Sequence, residues 1–191
     1  MTEPVETLWV GSDGTAPPAH ISAGLLYELA HADASLADGP RWLMMANPEI
    51  QPGDLLREEV SWLLGWQALA TFGLPEREPE GLLLVGMDGP PDSTRAEQQE
   101  FDDFYTQVHL PQVVTSGGYS RGTRYELQRR LRYPYPHAPQ FCAVYEADAA
   151  TTDRKLAAYL KVGTPAPSGT VPQAWARRRT AWRLFYRRHR A

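Results

Sequence analysis

Few residues in this chain could do chemistry, and the best of them sits in the stretch FYTQVHLPQVVTSGG, Phe104 to Gly118. His109 follows Tyr105 by four residues, so on a helix both side chains leave the same side within reach of each other. An imidazole titrates near neutral pH and suits a general acid or base, and a tyrosine hydroxyl can orient it or polarise a substrate oxygen. A histidine in a last helical turn also has a purely structural use, because it interacts favourably with the negative end of the helix dipole. The other histidines, His20, His31, His137 and His189, lie far apart without metal-ligand spacing, so no metal site is expected. Glycine-rich phosphate loops, dinucleotide fingerprints, a nucleophile elbow and a zincin helix are all missing. No cofactor is therefore expected. Cys142 is the only cysteine and reads as a small buried strand residue, since no basic neighbour activates it.

The elements that must position His109 are legible in the second half. GLLLVGMDG, Gly81 to Gly89, is a short apolar run closed by turn residues, hence a buried strand. Thr94 and Glu97 are spaced as a capping box that opens a helix. Phe101, Phe104, Tyr105 and Val108 then fall at i, i+3, i+4 and i+7, one apolar face. Pro111 is expected to break or kink that helix at Leu110. Tyr119 to Leu127 and Phe141 to Ala147 read as strands, Thr151 to Val162 as a short helix, and TAWRLFYRR as a last strand. The order β-α-β-β-α-β is a ferredoxin-like unit.

The first half reads as a less regular copy. VETLWVGSDG matches GLLLVGMDG, and Tyr27, His31 and Gly39 repeat the intervals of Tyr105, His109 and Gly117. Pro40 to Asn47 is expected to be a strand. Asp54 to Gly73 shows leucines at helical spacing with Asp54 as N-cap, so a helix is expected there. The domain reading is a degenerate ferredoxin-like module over residues 1–79 and a second module over 80–191, with LPEREPE as linker.

The stretch FDDFYTQVHLPQVVTSGGYSRGTRYEL followed by FCAVYEA resembles the dimeric α/β-barrel superfamily, particularly its EthD-like members. The resemblance covers about residues 81–162 and marks fold better than activity. It implies an α+β fold in which two ferredoxin-like sheets face each other and enclose a pocket. Relatives include cofactor-independent polyketide cyclases, isomerases, monooxygenases and haem-handling enzymes, and a helix histidine recurs in the pocket at the position of His109. A duplicated chain would form internally the barrel that relatives build as homodimers, and a homodimer stays open as a partner. The resulting expectation is a cofactor-independent cyclase or isomerase acting on a hydrophobic aromatic or polyketide-like metabolite, with His109 and Tyr105 catalytic. Tyr119, Arg124, Tyr125, His31 and Tyr27 are the expected substrate-binding residues. The alternatives are a non-catalytic metabolite-binding or protein-interaction member, or a haem-binding or haem-degrading protein with His109 as axial ligand.

Composition sets the outer limits. The 191 residues are 42% hydrophobic, with six Trp and nine Tyr, enough for a packed core. No basic region precedes an apolar run at the N-terminus, and no stretch approaches a membrane span, so a cytoplasmic, membrane-free protein is expected. Of the formal charge of −4, residues 151–191 carry ten Lys or Arg and one Asp, hence +9, leaving −13 for residues 1–150. Seven arginines lie between Arg177 and Arg190. An acidic overall pI and the lack of a nucleic-acid motif argue against nucleic-acid binding, and the arginines are expected to pair with the acidic body.

Overall fold

The structure is a computed structural model that describes residues 6–18, 25–46, 52–55, 57–159 and 171–190. His20 lies outside them, as does the end of the expected Thr151–Val162 helix. Eight strands form a closed antiparallel barrel: β1 (Glu6–Ser12), β2 (Leu26–Ala32), β3 (Trp42–Ala46), β4 (Val60–Gly73), β5 (Gly81–Asp88), β6 (Arg121–Arg132), β7 (Phe141–Ala147) and β8 (Arg179–Arg188). Around the barrel they run β1-β3-β2-β8-β5-β7-β6-β4. The first four strands in sequence are neighbours in the order β4-β1-β3-β2, and the last four repeat that order as β8-β5-β7-β6. Helices α1 (Arg95–Phe104), α2 (Leu110–Gly117), α3 (Ala149–Tyr159) and α4 (Gln173–Ala176) all belong to the second half.

Strand alternation divides the core in two. Inside the barrel, Trp9, Trp62, Trp66 and Trp182 pack with Tyr27, Tyr125, Tyr186 and aliphatic residues of β5, β7 and β8 in one buried cluster. An eight-stranded barrel has an interior that side chains can fill. Outside it, Leu83, Val85, Phe141, Ala143, Tyr145 and Phe185 pack under Phe101, Tyr105, Leu110, Val114 and Trp175 of the helices. Gly122 lets α2 approach β6: a Cβ there would lie 2.8 Å from Val114 and 2.9 Å from Leu110.

Three expectations are corrected. Asp54–Gly73 is not a helix: after a 3-10 turn over Pro52–Leu55 the chain becomes the 14-residue strand β4. Trp62, Leu64 and Trp66 join the interior while Val60 and Leu63 join an outer cluster. A strand buried on both faces reads as a continuous apolar run, and such a run also satisfies helical spacing. Tyr27 and His31 lie on strand β2 and not on a helix, so their match to Tyr105 and His109 does not hold as a structural equivalence. Pro111 does not end the helix. The backbone widens into a π-helical turn over Tyr105–His109, with the Leu110 N–H bonded to the Tyr105 carbonyl, and α2 continues to Gly117. Pro111 falls in the first turn of α2, where a missing N–H costs least. The helix ends instead at Gly118, whose φ of 71° suits a left-handed cap.

The expected capping box is present, with Thr94 and Glu97 bonded reciprocally; β5, β7, β8 and α1 fall where the sequence pattern puts them, α3 covers the described part of the expected Thr151–Val162 helix, and β6 runs on to Arg132, past the expected Leu127.

Candidate functional site

The π-turn decides where His109 points. One extra residue in the turn rotates Val108 to solvent, 49% exposed, although helical spacing assigns it to the apolar face. His109 swings inward in its place, onto the helix-covered outer face of the second-half sheet. Its ring lies 4.4 Å from Trp175, 5.8 Å from Tyr105 and 6.3 Å from Phe104, centroid to centroid. π-turns inside helices are frequent at functional sites.

Burial in this aromatic bed, aided by the positive charges of Arg178 and Arg183, pulls the His109 pKa down to about 4. The imidazole is therefore neutral at physiological pH, an acceptor at one nitrogen and a donor at the other. Desolvation pushes the fully buried Tyr105 hydroxyl well above the ordinary phenol range, so it stays a proton donor. Its oxygen has no hydrogen-bond partner, and the Trp175 Nε1 and Arg178 Nε are buried without one as well. Arg178 lies 4.3 Å over the Trp175 ring and donates to the Trp175 carbonyl at 2.9 Å. Buried polar groups are normally paired. Of six such buried side-chain atoms among the described residues, these three belong to the aromatic bed of His109; the others are Arg124 Nε and the Nε1 atoms of Trp9 and Trp66 in the barrel.

Arg124, expected as a binding residue, is 2% exposed and lies between the rings of Phe141 (4.5 Å) and Tyr105 (4.6 Å). It pairs with the Asp102 carboxylate and donates to Thr106 Oγ1 at 3.0 Å. Thr106 is in the π-turn, so Arg124 ties that turn to β6.

The remaining expected residues separate. Tyr119 packs on Tyr145, and burial, together with the neighbouring Tyr159 of α3, pushes its hydroxyl well above the ordinary phenol range. His31 reaches the same outer face: a register shift in β2 places it opposite Phe185, and it stacks on Tyr159 at 4.8 Å. Tyr27 and Tyr125 sit on the other side of the sheet. Tyr27 donates to the Pro79 carbonyl at 3.1 Å, and Tyr125 lies edge-on to Trp9 with its pKa pushed up to about 12 by burial. They belong to the barrel core and are not grouped with His109.

Sequence reasoning passed over Trp175 and Arg178. A tryptophan two residues before the run Arg177–Arg179 was the available signal. Among the described residues no group of three His, Cys, Asp or Glu side chains could hold a metal ion. No helix among them is long and apolar enough to cross a membrane.

No family model matches the chain, and no curated protein does. Among solved structures, a dimeric chlorite dismutase from Nitrobacter winogradskyi is similar at 14% identity, over 96% of this chain and 99% of that one, with a TM-score of 0.46.

Proposed function

We propose that this protein is a cofactor-independent enzyme of the cyclase or isomerase type, acting at His109 on an aromatic or polyketide-like metabolite. The observation that carries this reading is a neutral imidazole ringed by buried polar atoms that lack partners, Tyr105 Oη, Trp175 Nε1 and Arg178 Nε. His109 takes a proton from a carbon next to a carbonyl. Tyr105 O–H donates to the carbonyl oxygen as it becomes an enolate. Returning the proton to a different carbon completes an isomerisation; attack of the enolate carbon on a second carbonyl completes a cyclisation. A base whose pKa is about 4 works best on carbon already acidified by two carbonyls, which is why a polyketide-like substrate suits it. The repeated strand order of the two halves supports tandem ferredoxin-like units, residues 1–79 and 80–191; an EthD-like origin for the second rests on its sequence resemblance alone.

A second reading, haem held through His109, rests on the same neutral imidazole, the form that ligates iron. Both readings are tested on protein purified from its own host. Native mass spectrometry identifies any retained small molecule, and absorbance shows whether a Soret band is present. The expected result is an aromatic metabolite whose class the protein converts, with His109→Gln folded but at least ~100-fold slower. Full activity in His109→Gln overturns the assignment. Retention without turnover makes the protein a binder, and a Soret band that vanishes in the variant replaces the enzyme reading with the haem one.

A further inference from the structure

The guanidinium of Arg178 is the anomaly of the outer face. Arg121, Arg124, Arg183 and Arg188, also removed in part from water, each face a carboxylate: Glu146, Asp102, Asp33, and Glu78 with Glu80. Arg178 faces none among the described residues. The segment from Leu160 to Gln173 that leads into α4 contains no Asp or Glu that could supply one. Its hydrogen bond to the Trp175 carbonyl uses one N–H, and its Nε remains buried without a partner. A half-buried cation with no counter-ion is costly. Within the same contact set, the indole Nε1 of the fully buried Trp175 is a second unpartnered donor. Arg183, paired with Asp33, adds positive charge nearby, since it acts on both His109 and Arg178.

We infer that Arg178, together with the indole N–H of Trp175, holds the carboxylate of an aromatic acid beside His109. The inference rests on the proposed siting of the reaction at His109 and narrows its substrate to an anion. Two N–H donors match the two oxygens of a carboxylate. The partly exposed ring of Phe104, packed 5.2 Å from Trp175, supplies apolar surface for the aryl group. A neutral His109 leaves the bound anion unpaired by any imidazolium, so the carboxylate is oriented by Arg178 and the imidazole stays available as a base.

The test uses benzoate and benzamide as probes, which share shape and differ in charge. Binding is followed through the indole N–H resonances of the full-length protein, with that of Trp175 assigned from Trp175→Phe. Benzoate is expected to shift the Trp175 resonance saturably and at least ~10-fold more tightly than benzamide. Arg178→Gln should remove that preference, Arg178→Lys should keep part of it, and both should retain the wild-type near-ultraviolet dichroism. Equal binding of the two probes, or a preference that survives in Arg178→Gln, overturns the anion assignment and leaves the His109 site standing. A Trp175 resonance that moves with neither probe overturns both.

Discussion

At the residue scale, His109 carries two separable pH effects. As a base it is competent only when neutral, so the acid limb of the rate profile should fall at about pH 4 and not near the ordinary histidine value. A limb near pH 6.5, the unperturbed value, would mean that the imidazole is solvated and the site is open. The stability effect follows from the same shift. The folded pKa lies below the unfolded one, so between them the unfolded state binds the extra proton. Stability is full above about pH 6.5 and is lost as pH falls towards 4, by a few kcal/mol at most. His109→Gln removes the titrating group. Urea unfolding at pH 7 and pH 4.5 should therefore show a smaller pH-dependent loss in the variant than in the wild type. Arg124 behaves differently, since its partners are all within the fold. Replacing it with Ala strands the Asp102 carboxylate and Thr106, and should cost about 2–4 kcal/mol in the same assay while leaving the acid limb unmoved.

At the element scale, the helix that carries His109 is decided by one residue too many. Helical spacing puts Val108 on the buried face, yet the π-turn exposes it. Val108→Gln should therefore change stability by no more than about 0.5 kcal/mol, whereas Phe101→Ala, at 0% exposure, should cost about 3–5 kcal/mol. Equal costs in chemical denaturation would mean that the helix is regular and that His109 points elsewhere. The same element marks the limit of what could be read from sequence. The capping box, the apolar face around Phe101 and Tyr105, and strands β5 to β8 were legible because each rests on local spacing. The π-turn was not, because helical spacing presumes a regular helix and does not register one extra residue in a turn. Strand β4 was misread because a run buried on both faces satisfies two periodicities at once. Trp175 and Arg178 meet His109 only through tertiary packing, across more than sixty residues of chain, and no local pattern records that meeting.

At the scale of the whole molecule, the barrel closes within one chain. Among the described residues every strand has two neighbours, so none of these strands leaves a sheet edge for a second copy to complete. The basic C-terminal segment is absorbed into this closure. Arg177, Arg183, Arg187, Arg188 and Arg190 pair with Glu97, Asp33, Asp153, Glu78 and Glu80 as β8 inserts between β2 and β5. Exposed pairs of this kind contribute at most about 1 kcal/mol each. Their main consequence is that little unpaired positive charge is left along β8 to attract phosphate. The two seams that join the halves are unequal: β4 and β6 pair through ten residues, β2 and β8 through five. Opening should begin at the shorter seam, so amide exchange in β2 should be faster than in β4. Closure also fixes how stability depends on concentration. If one chain completes the barrel, the thermal midpoint should be unchanged over a ~100-fold range of protein concentration, because no subunit is released on unfolding. A midpoint that climbs with concentration would mean that a second chain contributes to the stability of the fold. In that case the β2–β8 seam, the weaker of the two, is where an exchanged strand would enter, and β2 should gain protection as concentration rises.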